Sequence, residues 1–138
     1  MDSTALLIAA TLVAGTPLAL AGLGLLVNER AGVLNLGADG LMLVAAVAGF
    51  ATAYATGSDT LAFVAAAAAA AGLAVGFGWL VIWLNTNQYA TGLALSLFGY
   101  GFSAFVGVPF VGRKLAERTP FEVPGLAQIP FVGPALFR

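Results

Sequence analysis

The chain has 138 residues, of which 61% are hydrophobic and 8% charged, with a net charge of −1 and neither cysteine nor histidine. Five basic and six acidic side chains cannot cover a water-soluble globule of this size, since soluble chains are ordinarily about 25% charged, so the composition describes an integral membrane protein. It also excludes a soluble disordered chain, a disulfide framework, thiolate or imidazole catalysis, a zinc site and a basic nucleic-acid surface; the chain is read as non-catalytic, with no metal and no cofactor.

The N-terminus carries Asp2 where a cleaved signal needs Lys or Arg, so the first apolar run is read as a permanent span. A transmembrane helix needs about 20 mostly apolar residues, and residues 5–27 meet this. Pro17 lies in the middle of that run, where a lost backbone donor is expected to bend or hinge the helix.

The next stretch, residues 28–40, is the informative one. Asn28, Glu29, Arg30, Asn35 and Asp39 fall here between two apolar runs, and Gly32, Gly37 and Gly40 crowd the same segment. One reading is a continuous helix over residues 33–56, which would place Asn35 and Asp39 at i and i+4 on one face. Asp39 would then lie about 9 Å inside the helix, at 1.5 Å per residue. The other reading is a broken start, because glycine is weak inside helices and irregular backbone is tolerated at membrane depth where it lines a cavity. A carboxylate at that depth is expected to face protein or water, not lipid.

Gly57-Ser58-Asp59 marks a tight turn, and residues 61–84 form an uncharged third run containing seven consecutive alanines, Ala65 to Ala71. A fourth run covers residues 89–108. After it come Arg113, Lys114 and Arg118, and then Pro120, Pro124, Pro130 and Pro134, a density that defeats helix and strand alike, so 109–138 is read as a loop. Gly72 and Gly76 in the third run, and Gly99, Ser103 and Gly107 in the fourth, recur at four-residue spacing, the usual device for close helix packing in lipid. Gly22-Leu23-Gly24 and Gly76-Phe77-Gly78 lie inside apolar spans and do not announce a dinucleotide fold. The expected class is an all-α integral membrane protein: one transmembrane domain of about four helices, the second with a glycine-rich start, and a proline-rich C-terminal loop.

The stretch from Asn28 to Met42, NERAGVLNLGADGLM, closely resembles the signature of the inner-membrane permease subunits of ABC importers. The branch is that of nucleosides and simple sugars, related to the ribose and branched-chain amino acid permeases, with the pattern (S/N)ERAGV(L/I)N(L/I)GxEGxM. The chain departs from it at Asp39, where the branch usually has Glu; the charge is kept. Residues 91–99 and 129–134 also look like family segments. The resemblance implies a permease subunit in a bacterial inner membrane, paired with a second, identical or paralogous, permease subunit. It further implies cytoplasmic ATP-binding subunits and an extracytoplasmic solute-binding protein as partners. Family permeases run to about twice this length, so the chain looks like an N-terminal half.

On this reading Asn35 and Asp39 are candidates for the polar lining or hinge of the translocation path, with Asn28, Glu29 and Arg30 near its cytoplasmic side. Gly32, Gly37, Gly40 and Pro17 are candidate hinges, and Arg113 and Lys114 candidate contacts to the binding protein. A count of basic residues alone would place the termini inside. Asp2 before the first span and Arg30 after it argue the reverse, as does the resemblance, and the N-terminus is read as extracytoplasmic. The alternatives are a small accessory or structural multi-spanning membrane protein, which the glycine spacing alone would fit, and a proton-coupled exporter, for which Asp39 is the single candidate acid.

Overall fold

The computed structural model describes residues 3–115. Arg118, the four prolines from Pro120 onward and the family-like segment 129–134 lie outside the described residues. Four helices account for the described chain: α1 (Ser3–Arg30), α2 (Ala38–Thr56), α3 (Asp59–Gly78) and α4 (Gln88–Gly107). Each is long and apolar enough to cross a membrane, α3 together with a π-helical turn at Trp79–Trp83 and α4 with a 3-10 turn at Val108–Phe110. The chain divides into two units, Met1–Leu23 with Glu117–Arg138, and Gly24–Ala116.

The described part of the first unit is helical and continuous through Pro17. Its two threonines hide their hydroxyls by donating to carbonyls one turn back, Thr11 to Leu7 at 2.8 Å and Thr16 to Leu12 at 2.7 Å. That leaves an apolar outer surface suited to hydrocarbon.

In the second unit, α1 ends where glycine permits it. Gly32 has φ +80°, Val33 N–H donates to the Asn28 carbonyl at 2.9 Å and Gly32 N–H to Glu29 at 3.0 Å. This is the Schellman pattern, which satisfies the last carbonyls of a helix. Helix α2 ends in the same conformational region at Gly57, φ +68°, whose N–H donates to the Ala53 carbonyl at 2.9 Å. Ser58 then caps α3, so two residues suffice to reverse the chain into a tight α2–α3 hairpin. Small residues let this pair approach: a Cβ on Gly49 would stand 3.2 Å from the Ala66 Cβ, which gives part of the alanine run a packing role.

Helix α3 finishes in the π-helical turn, where Leu84 N–H donates to the Trp79 carbonyl at 3.3 Å. The turn stacks Trp79 on Trp83 with ring centroids 4.9 Å apart, an exposed aromatic pair suited to the membrane–water boundary. Asn85, at φ 50°, and the Asn87 side chain, which accepts from the N–H groups of Tyr89 and Ala90, start α4. Helices α2 and α4 run parallel, from Gly40 near the start of α2 against Gly99 in the middle of α4 to Phe50 and Tyr54 against Phe110 just beyond the end of α4.

The continuous-helix reading of 33–56 is corrected. Residues 33–35 have no regular secondary structure and Leu36-Gly37 form a turn, so α2 begins at Ala38. Asn35 therefore precedes the helix, and the i, i+4 relation to Asp39 does not exist. The break has a packing cause, described next.

Candidate functional site

The segment before α2 lies along the first half of α4, and two of its backbone groups are satisfied by side chains of that helix. Leu34 N–H donates to the Gln88 Oε1 at 2.7 Å, and the Ser96 hydroxyl donates to the Leu36 carbonyl at 2.9 Å. Asn35 is 7% exposed and folds back so that its Oδ1 accepts from Gly37 N–H at 2.8 Å. Non-helical backbone inside a membrane needs such partners, because an unsatisfied group there costs several kcal/mol. Replacing Ser96 by Ala strands the Leu36 carbonyl and is expected to cost about 1–3 kcal/mol. The matching observation is an earlier loss of monodisperse protein on heating in detergent. Ser103→Ala, whose hydroxyl bonds only the Tyr100 carbonyl in its own helix, should leave that temperature nearly unchanged.

Glycines set the distance between the two elements. A Cβ on Gly92 would stand 2.8 Å from the Leu36 amide nitrogen, and one on Gly37 2.7 Å from the Leu95 side chain. A Cβ on Gly40 would meet the Leu95 carbonyl oxygen at 2.5 Å, and one on Gly99 would overlap the Gly40 backbone. At Gly40, Gly92 and Gly99 the obstacle is backbone, which cannot give way, so the crossing is backbone on backbone there; at Gly37 it is the Leu95 side chain.

This crossing fixes the depth of Asp39. Gly99 lies about 16 Å along α4 from Gln88, near the middle of a helix about 30 Å long, at 1.5 Å per residue. Gly40 rests on Gly99, and the Tyr100 hydroxyl donates to Asp39 Oδ2 at 3.4 Å. Asp39 thus sits level with the middle of α4, further along than the expected 9 Å or so. The reason is geometric: residues 33–37 are not helical, and chain outside a helix can advance up to about 3.3 Å per residue where a helical residue advances 1.5 Å. Asp39 is exposed in this chain, and a carboxylate at that depth must meet water or further protein.

The other candidates fall as follows. Asn28, Glu29 and Arg30 form the last turn of α1, with Glu29 and Arg30 exposed. Gly72, Gly76 and Gly107 have open space where a Cβ would point, while Gly99 sits in the crossing. Arg113 is engaged at the far end of α2: its guanidinium donates to the Tyr54 hydroxyl at 3.2 Å and lies 5.8 Å from that ring's centroid. Lys114 is exposed. Gln88, Gly92, Ser96 and Tyr100 did not figure among the sequence candidates. The spacing of Gly92, Ser96 and Gly99 does mark a small-residue face, but Gln88 and Tyr100 carry no signal until the partner segment is known.

Four helices long and apolar enough to cross a membrane, one of them preceded by a non-helical segment packed on its neighbour, make this a multi-pass membrane protein. Among known families the assignment is direct. The chain belongs to the family described as the branched-chain amino acid transport system / permease component, whose model matches residues 7–129. It is 42% identical over 142 aligned positions to a protein of Haloferax volcanii named as the candidate glucose ABC transporter permease TsgC13, covering 100% of this chain and 43% of that one. It is 29% identical over 143 positions to the guanosine ABC transporter permease protein NupQ of Bacillus subtilis, covering 96% of this chain and 45% of that one. The chain therefore spans less than half the length of these relatives. No solved structure matches it. It is a multi-pass membrane protein of a permease family, and such subunits are not themselves enzymes.

Proposed function

We propose that the chain is the N-terminal part of the membrane-spanning subunit of an ATP-binding-cassette importer for a nucleoside or a simple sugar. The family match over residues 7–129 carries this reading, and relatives named for guanosine and glucose transport support the substrate class. The position of Asp39 level with the middle of α4 supports a place for it on the translocation path. Asn35, buried and bonded to its own turn, serves as the fixed point from which α2 starts. ATP hydrolysis belongs to separate cytoplasmic subunits, an extracytoplasmic binding protein delivers the solute, and a second permease subunit, identical or paralogous, completes the path. The subunit lies in the plasma membrane with its N-terminus outside, a reading supported by Asp2 before the first span and Arg30 after it. Asn28, Glu29 and Arg30 then end α1 on the cytoplasmic side.

A second reading gains from one observation. Proton-coupled export needs an acid near mid-membrane, and Asp39 has that depth. One experiment separates the two: uptake by the assembled transporter in cells, measured with an uncoupler and with ATP depletion. An importer of the proposed class keeps its uptake when the proton gradient is collapsed and loses it when ATP is removed. The opposite pattern overturns the proposal.

A further inference from the structure

Two side chains of α4 hold the segment before α2, and they are placed differently. Ser96 is buried, and its short hydroxyl reaches the Leu36 carbonyl from the middle of the helix. Gln88 is the first residue of α4 and only half-buried. It reaches Leu34 N–H, at 2.7 Å, through a long and flexible side chain. Capping of α4 is left to Asn87, which accepts from Tyr89 and Ala90 N–H, so the Gln88 amide is available to the segment.

The backbone of residues 33–37 does not itself require an unwound state. It contains no proline, and the positive-φ positions among the described residues, Gly32, Gly57, Asn85 and Gly112, lie outside it. Gly37, at φ −88°, gives α2 no side-chain cap, and the first bond of that helix runs from Leu41 N–H to the Gly37 carbonyl. Were the segment wound, the N–H groups of Ala38, Asp39 and Gly40 would gain the carbonyls of Leu34, Asn35 and Leu36 as partners. The unwound form has the bonds from Gln88, Ser96 and the Asn35 side chain instead. Comparable bonding in two arrangements is what a switchable element needs.

We propose that Gln88 is a positioning residue for Asp39: its side chain keeps residues 33–37 unwound, and when that bond opens the segment winds onto α2 and draws Asp39 along α4 toward Gln88. This rests on the transport reading above and goes beyond it. A wound residue advances 1.5 Å where unwound chain spans up to about 3.3 Å, so even partial winding takes the carboxylate away from the Tyr100 hydroxyl, its partner at 3.4 Å. The direction is open to α2, because Ser96 and Gly92 continue the small-residue face of α4 from Gly99 toward Gln88. Ser96, buried beside the Gly40 backbone, is the fixed hold, and Gln88 at the helix start is the one that opens.

The test is made on the assembled importer, with guanosine and glucose as the solute probes. Gln88→Leu and Gln88→Ala both remove the acceptor. Gln88→Glu keeps an acceptor oxygen at the same reach and adds a charge that a helix N-terminus favours. Residue-resolved amide exchange in detergent should show Leu34 N–H exchanging about tenfold faster in the Leu and Ala variants, the scale of one lost hydrogen bond. The N–H groups of Asp39 and Gly40 should exchange more slowly, having gained carbonyls from the wound segment. The KM for uptake of the transported probe should rise about tenfold, the scale of one lost hydrogen bond to a charged group, at unchanged abundance in the membrane. Gln88→Glu should restore both quantities. Faster exchange at every amide from Leu34 to Gly40 would mean fraying in place of winding and would overturn the inference. Unchanged exchange in the Leu and Ala variants, or altered exchange with an unchanged KM, would overturn it too, while persistent ATP-dependent uptake leaves the transport reading standing. Absence of ATP-dependent uptake in the unsubstituted importer would remove the transport reading itself.

Discussion

Asp39→Leu in the assembled importer should reduce uptake about a hundredfold or more while leaving the subunit at normal abundance in the membrane. The magnitude follows from what is removed: a charged acceptor level with the middle of α4, where each hydrogen bond to a charged group is worth about 1.5–3 kcal/mol and a hydroxylated solute of the proposed class can make more than one. Folding should survive, because Asp39 is exposed and its contact to Tyr100 is a long 3.4 Å. The crossing beside it is made by Gly40. Two further variants separate charge from bulk. Asp39→Asn keeps the shape and one acceptor oxygen but loses the charge, and it should sit between the wild type and Leu. Asp39→Glu should retain most of the uptake, since the related permease signature has Glu at the matching position. Radiolabelled uptake beside an immunoblot of the membrane fraction reads both quantities. Full uptake by the Leu variant at normal abundance would remove Asp39 from the path.

How much of this was legible in the sequence depends on the kind of signal each part carries. The four helices follow from runs of apolar residues about one bilayer long, and their ends from Gly32, Gly57, Ser58 and Asn87, which work locally. Composition and local chemistry suffice there. The depth of Asp39 was not legible, because it depends on whether residues 33–37 advance as helix or as non-helical chain. That choice is made by α4. Gln88 and Ser96 supply partners for Leu34 and Leu36, and Gly92 leaves the room in which that segment lies. Nothing between Val33 and Gly37 announces these residues, which are more than fifty positions away in the chain.

The same reasoning explains the division among the small residues. Gly72, Gly76 and Gly99 share a four-residue rhythm with their neighbours, yet only Gly99 meets backbone in the described structure. Periodicity identifies a face that can be approached closely but not the element that approaches it. Arg113 is a similar case. Its charge and position after the last span suggest a surface contact, and it is exposed; that Tyr54, on another helix, also takes one of its donors and lies beneath the guanidinium is not visible from the sequence.

Gly99→Val should lower the yield of folded protein sharply, because an added Cβ there makes the closest approach to backbone of any glycine in the described residues. The Cβ of residue 99 would occupy the position of the Gly40 backbone, and backbone cannot swing aside as a flexible side chain can. Overpacking a well-fitted site by a methylene or two typically costs about 1–3 kcal/mol. Here the added atoms would also separate α2 from α4 and lengthen the bonds by which Ser96 and Gln88 hold the broken segment, each lost partner adding about 1–3 kcal/mol. The sum is comparable with the whole stability of a typical domain, about 5–15 kcal/mol. Gly99→Val is therefore expected to leave little monodisperse subunit after detergent extraction, and Gly99→Ala to give a reduced yield that melts at lower temperature. Gly76→Ala is the matched control. Its Cβ meets nothing within 4 Å, and alanine is the better helix former by about 1 kcal/mol, so its yield should equal that of the wild type. If Gly99→Val were recovered as well as Gly76→Ala, α2 and α4 could not cross at these glycines. The depth assigned to Asp39 rests on that crossing and would fall with it.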